Sequence, residues 1–132
     1  MNRLLTLTAF IEATTGLALM VVPTVVVGLL LGGEVAGAAI AVGRVAGIAL
    51  LALGLACWPD RAVASRAGPA FRGMLVYNLL ATLYLAYLGV SGLSVGMLLW
   101  PAVTAHGILS FLLVRQWRLG NTGRQQIGLG SG

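Results

Sequence analysis

Long apolar runs separated by short polar segments make up most of the chain. No Asp, Glu, Lys or Arg occurs between Gly73 and Val114. As one helix this run would extend about 60 Å, twice the ~30 Å hydrocarbon core of a bilayer. We therefore expect it to fold back once, and residues 89–92 (Gly-Val-Ser-Gly) are the best candidate for the turn.

The first half of the chain divides in the same way. Residues 4–31 contain Glu12 as their one charged residue, and the segment Gly-Gly-Glu at 32–34 then forms a turn. Residues 35–58 contain Arg44 as their one charged residue, and a Pro-Asp pair follows them. A membrane helix needs about 20 apolar residues. The predicted transmembrane helices therefore cover about residues 4–30, 35–58, 71–90 and 93–115.

These four runs predict an all-α, polytopic membrane protein. Residues 1–119 form one transmembrane domain, in which the four helices pack as an antiparallel bundle. Residues 120–132 are rich in Gly, Gln, Asn and Thr, so we expect a flexible tail there. The last five residues of this tail resemble an added linker.

Composition restricts the class of protein further. Hydrophobic residues make up 59% of the chain and charged residues 8%, whereas a soluble domain has about 25% charged residues. The composition excludes a soluble domain and a disordered chain, and a single cysteine excludes a disulfide scaffold. What remains is an integral protein of the lipid bilayer.

The basic residues predict the orientation in the membrane. All eight are Arg; apart from Arg44 they lie at the N-terminus, in the 59–72 loop and after the fourth helix, and the turns at 32–34 and 89–94 have none. Positive residues stay cytoplasmic, so both termini and the 59–72 loop are expected inside.

The absence of Lys is typical of a GC-rich bacterial genome, which suggests the cytoplasmic (inner) membrane. Because the arginines do not form one soluble face, we expect no nucleic-acid partner.

Each predicted helix carries one strongly polar residue: Glu12, Arg44, Asn78 or His106. Three of the four lie nine residues, about 13 Å, from the nearest predicted membrane boundary, and Asn78 lies about 9 Å from it. Ionisable residues inside a membrane usually face the bundle interior and have a partner. These four residues therefore define a predicted intramembrane polar site.

Smaller polar residues on the same helical faces extend this site. They are Thr8 and Thr15 beside Glu12, Thr82 beside Asn78, and Ser110 beside His106. Helix two also has a GxxxG pattern, formed by Gly43 and Gly47, which lets another backbone approach closely. The two glycines serve either packing within one chain or homodimerisation.

Other interpretations of the charged residues stay open at this level. If helix one begins at Ala13, Glu12 lies at the interface and not inside the membrane. Arg44 is near the centre of its helix, so we expect it to form an ion pair with Glu12, directly or through one water. That pair has either a purely structural role or a role in binding.

The single histidine also has two interpretations. His106 is either part of a functional site or a core histidine whose hydrogen bonds are satisfied by Asn78, Ser110 or a carbonyl group. A single histidine excludes bis-His haem within one chain, and His106, Cys57 and Glu12 are not expected at one depth, which argues against a metal site. Motifs for nucleotide binding, serine hydrolysis and zinc proteolysis are absent from the sequence. We therefore expect no enzyme activity, no cofactor and no metal.

The sequence has two family resemblances. The segments at 10–23, 29–32, 43–58 and 77–81 (FIEATTGLALMVVP, LLLG, GRVAGIALLALGLACW and YNLLA) resemble small four-helix bacterial membrane proteins of unknown function. Glu12 also lies where small multidrug resistance transporters have a membrane-embedded Glu in helix one. That resemblance implies binding of protons and cationic drugs, although helices two and three lack the motifs of that family and Arg44 would compete for the carboxylate.

Two classes of function follow from these observations. One is a small transporter or channel-like protein, as a homo-oligomer, with a small-molecule or ion substrate at the polar site. In that class an unpaired Arg44 favours an anion. The other is a non-catalytic subunit or scaffold of a larger membrane complex, whose polar stripes pair with the helices of partner subunits. A water-filled cavity that reaches Arg44 would favour transport, and a dry Glu12–Arg44 pair would favour the scaffold.

Overall fold

The computed structural model describes residues 3–58, 68–93 and 95–129. Within these ranges every regular element is an α-helix, as the sequence predicts. The helices are α1 (Arg3–Val21), α2 (Pro23–Leu31), α3 (Ala38–Ala56), α4 (Pro69–Ser91) and α5 (Leu99–Leu129).

The predicted first helix is two helices, because the chain breaks at Val22 and Pro23. Val22 has a non-helical backbone, with φ −129° and ψ 56°. Proline has no N–H group and disfavours the helical conformation in the residue before it. Val22 N–H donates to Ala18 O at 2.9 Å, and Val22 O accepts from Val26 N–H at 3.2 Å, so Val22 both ends α1 and precedes α2. The chain therefore passes from α1 to α2 through this single non-helical residue.

Three helices, α1, α3 and α4, are long and apolar enough to cross a membrane; their lengths are 19, 19 and 23 residues. A 19-residue helix extends about 28 Å, close to the thickness of the hydrocarbon core. These three helices support the prediction that the chain is a membrane protein.

Helix α5 differs from its prediction at both ends. It begins at Leu99 and not near residue 93, because residues 95–98 are non-helical and pair with another part of the chain. It then continues for 31 residues to Leu129, through most of the segment expected to be a flexible tail. Residues 130–132 lie outside the described ranges.

Helices α1 and α3 pack as an antiparallel pair through glycines. A Cβ atom on Gly16 would lie 2.6 Å from the carbonyl oxygen of Gly47, and one on Gly54 would lie 2.7 Å from that of Ala9. Such distances leave no room for a side chain, so the two backbones are in direct contact. Gly43 continues the same buried stripe toward α2. The predicted GxxxG glycines are thus used within one chain.

Helices α4 and α5 form a second antiparallel pair. A Cβ atom on Gly89 would lie 3.1 Å from the ring of Trp100, and one on Gly107 would lie 3.6 Å from the methyl group of Thr82. The connection between these helices also binds the end of α2. Within it, Gly96 N–H donates to Leu30 O at 3.2 Å and Leu98 N–H to Leu29 O at 2.8 Å.

A buried apolar cluster joins the two pairs at the opposite end of the molecule. It brings together the start of α1, the end of α3, the start of α4 and the middle of α5. Its buried members are Leu5, Ala9, Cys57, Phe71, Met74 and Leu113.

We expect Gly16→Ala to destabilise the protein by about 1–3 kcal/mol, because the added methyl group would overlap the backbone of α3. Unfolding in detergent micelles measures the effect. Gly73→Ala is the matched control, since the nearest atom to its Cβ would be Leu53 Cδ1 at 4.0 Å. Equal stability of the two variants would contradict the close packing of α1 on α3.

Candidate intramembrane polar site

Glu12 lies in the middle of α1 and is 1% exposed. Helix α1 begins at Arg3 and not at Ala13, so Glu12 lies within the helix. Among the described residues neither carboxyl oxygen of Glu12 has a hydrogen-bond partner. A buried polar group without a partner is costly, which makes this carboxyl the most unusual group in the fold.

Asn78 and His106 are joined by a hydrogen bond between α4 and α5. His106 Nδ1 lies 2.9 Å from Asn78 Oδ1, and Asn78 Nδ2 donates to Met74 O at 3.0 Å. The amide oxygen can only accept, so the hydrogen-bond network assigns the proton to Nδ1 of His106. In the neutral ring the other nitrogen, Nε2, is then an acceptor. Asn78 is thus one of the hydrogen-bond partners that the sequence analysis allowed for this histidine.

The same imidazole faces the Glu12 carboxyl. His106 Nδ1 lies 3.9 Å from Glu12 Oε1, which is too long for a hydrogen bond but within ion-pair distance if the ring is protonated. Tyr77 and Asn78 are also next to this carboxyl. The Tyr77 ring meets the imidazole edge-on, with the ring centroids 5.7 Å apart and an interplanar angle of 81°. Three helices thus supply one cluster: Glu12 from α1, Tyr77 and Asn78 from α4, and His106 from α5.

The predicted hydroxyl residues have different environments. Thr8 donates to Leu4 O and Thr82 to Asn78 O, each at 2.8 Å, so both hydroxyls are satisfied by their own helices. The Ser110 hydroxyl is buried, and no hydrogen bond to it is present in the described part of the chain. Ser110 therefore adds an unsatisfied hydroxyl to the two unsatisfied Glu12 oxygens.

Arg44 is not part of this cluster, and the expected ion pair with Glu12 is wrong. Arg44 is exposed, and among the described residues the ion pair of Glu12 is with His106. Glu12 is level with the region of α3 between Gly47 and Gly54, so Arg44 lies about 10 Å farther along the axis. It is also turned about 100° from Gly43, which begins the buried stripe.

An apolar cleft runs along one side of the cluster, between α1 and α2 on one wall and α4 and α5 on the other. Its volume is about 650 Å³. Most of its walls are aliphatic, and four polar side chains reach it: Thr15, Tyr77, Tyr84 and His106. His106 is therefore the ionisable group that connects the cleft to the buried Glu12 carboxyl.

Sequence reasoning missed both the cleft and the role of Tyr77. Tyr77 precedes Asn78, so the two side chains leave α4 about 100° apart and meet the same cluster from different directions. In the sequence, the adjacency of Tyr77 to Asn78 was the available signal.

Within the described ranges no group of three or more His, Cys, Asp or Glu residues is arranged to hold a metal ion. Cys57 is held apart from the polar site by its own contacts, because its thiol is buried in the apolar cluster and donates to Ala70 O at 3.3 Å.

Comparison with known proteins gives no match: no family model, no curated protein and no solved structure is similar to this chain.

We expect ¹⁵N NMR of histidine-labelled protein to show the tautomer with the proton on Nδ1, because Asn78 Oδ1 accepts from that nitrogen. The chain has one histidine, so the assignment is direct. In Asn78→Leu the acceptor is lost and the tautomer ratio should shift toward the Nε2 proton. Thr82→Val, one turn along α4, is the control and should leave the ratio unchanged. A proton on Nε2 in the wild type would contradict the geometry.

Proposed function

We propose that the protein is a small integral membrane transporter that binds and releases protons at Glu12 and His106, next to the apolar cleft. One observation carries this proposal: a fully buried carboxyl without a hydrogen-bond partner lies 3.9 Å from a histidine that lines the cleft. Carboxylate and histidine chains inside membrane helices are typical of proton relays in pumps and transporters.

The spacing of the two groups couples their protonation. A charge on His106 or on Glu12 acts on the other group across 3.9 Å of protein interior, where water does not screen it. A purely structural acid at this position would gain more from an Arg partner, whereas the side chains beside this carboxyl are those of Tyr77, Asn78 and His106. Exchange of protons between Glu12 and the cleft, through His106, accounts for this arrangement.

The cleft indicates the kind of substrate. Sites for small molecules usually have volumes of about 300–1,000 Å³, and the cleft is within this range. Its aliphatic walls favour a small, largely apolar molecule. Because Arg44 lies outside the cluster, the earlier reason to favour an anionic substrate no longer applies.

Four membrane spans with both termini cytoplasmic, in the inner membrane of a bacterium, complete the proposal. Here α1 with α2 forms the first span, and the first part of α5 forms the fourth. The packing supports this orientation, because the apolar cluster joins the start of α1, the end of α3, the start of α4 and the middle of α5 at one end. Arg3, Arg72, Arg115 and Arg118 lie in or next to these segments, whereas Glu34 lies in the turn at the other end.

Cysteine labelling tests the orientation. In a Cys57→Ser background, Ser91→Cys should react with a membrane-impermeant maleimide from outside the cell, because it ends α4 in the turn without basic residues. Leu119→Cys, exposed on α5 after Arg115, should react only after the membrane is opened. Both residues are exposed, so each serves as the control for the other. The reverse pattern would contradict the proposed orientation.

Proton flux tests the site. Proteoliposomes that contain a pH-sensitive dye, with the membrane potential clamped, should acidify faster than empty liposomes after an external acid pulse. Glu12→Gln should reduce the flux to the level of empty liposomes, because the amide keeps the shape but cannot bind a proton reversibly. Glu34→Gln removes an exposed acid in the α2–α3 turn and should change nothing.

Size-exclusion profiles of the three proteins show whether each is folded. A wild-type flux equal to that of empty liposomes would contradict the transporter and favour the alternative, a non-catalytic subunit or scaffold of a larger membrane complex. A flux that Glu12→Gln leaves intact would remove Glu12 from the mechanism.

A further inference from the structure

Arg44 is a charged side chain on the outer surface of an apolar helix. It is exposed, and its neighbours Val45 and Ile48 are exposed as well, at 65% and 54%. In the described part of the chain, no carboxylate lies within ion-pair distance of its guanidinium. Isolated in hydrocarbon, this charge would be strongly unfavourable. Something other than the described carboxylates therefore has to bind it.

The position of Arg44 along α3 limits what that partner is. Helix α3 is just long enough to span the hydrocarbon core, so Ala38 and Ala56 lie near the two membrane surfaces. Arg44 is six residues after Ala38, which puts its Cα about 9 Å below the nearer surface. Long basic side chains cross such distances by extending along the helix while the charged end reaches the interface.

The face of α3 above Arg44 leaves a path for the side chain. Side chains of a helix point toward its N-terminus, which here is the end near the surface. Two small, exposed residues precede Arg44 on this side of the helix: Ala41, three positions earlier, and Gly37, the N-cap residue of α3. Ile40, four positions earlier, flanks the path on its other side.

We infer that Arg44 binds the phosphate group of a phospholipid in the leaflet at the α2–α3 turn and thereby holds α3 at a fixed depth. The guanidinium presents a planar fork of donors that matches phosphate oxygens, and lipid phosphates form the anionic layer at the depth that the side chain reaches. This inference is independent of proton transport.

The acids of the chain fit this position less well. Glu12 is buried on another helix, at another depth, and has His106 beside it. Glu34 is at the correct end of α3 but is not in contact with Arg44. A second copy packed two-fold along this face would bring two Arg44 side chains together, and like charges repel there.

Solid-state NMR tests the contact directly. The experiment uses full-length protein with ¹³C-labelled arginine in phosphatidylcholine vesicles, in phosphate-free buffer, and measures dephasing of the guanidinium carbon by ³¹P. The Arg44 signal is identified by its disappearance in Arg44→Gln. We expect strong dephasing of that signal, as for a guanidinium that touches a phosphate group.

Two variants test the path and the chemistry. Ala41→Leu places a large side chain on the path and should weaken the dephasing of the Arg44 carbon, whereas Glu34→Gln should leave it unchanged. Absence of dephasing at Arg44 in the wild type would overturn the inference. Cross-linking of two chains through Ile48→Cys, without phosphorus contact, would also overturn it and place a second copy on this face.

A parallel sample separates the two sources of phosphate. In vesicles of phosphorus-free glycolipid supplied with inorganic phosphate, the Arg44 signal should show no dephasing. Dephasing in that sample would mean that the site binds free phosphate, and would overturn the assignment to lipid.

Discussion

The close approach of the α1 and α3 backbones is the constraint on which the other features depend. Gly16, Gly47 and Gly54 leave no space for a side chain between the two helices, so this contact allows one rotation of α3 about its axis. With that rotation Glu12 is enclosed by the bundle, and Arg44 is directed outward. Two opposite charges at similar predicted depths are thus separated by the packing of residues that carry no charge.

Successive hydrogen bonds orient the side chains of the interior polar cluster. The Met74 carbonyl orients the Asn78 amide, and the amide orients the His106 ring. This chain of contacts stops at the Glu12 carboxyl, which receives no hydrogen bond from the described residues. Fully satisfied polar networks make a core rigid, whereas a network with one unsatisfied member is costly and is typical of a functional group. The unsatisfied member here is also the one acid within the predicted spans.

Much of the fold follows from the sequence, because apolar run length decides where helices lie in a membrane protein. The runs around α3 and α4 predicted those helices within a few residues of their observed ends. The helix break at Pro23 was missed, since a proline inside a long apolar run is not a turn signal by itself. Depth alone correctly grouped Glu12, Asn78 and His106, but rotation about the helix axis excluded Arg44. The spacing of the buried residues Gly43, Gly47, Leu50 and Gly54 was the sequence signal for which face of α3 packs inward.

The backbone hydrogen bonds from Gly96 and Leu98 to the end of α2 have a mechanical consequence. They join α2 to the connection that leads into α5, at the end of the cleft away from the polar cluster. The helix break at Val22 is the point about which α2 can rotate relative to α1. If α2 rotates about that point, the start of α5 moves with it, so the two walls at this end of the cleft move together. These hydrogen bonds therefore hold the two walls at a fixed spacing at this end of the cleft.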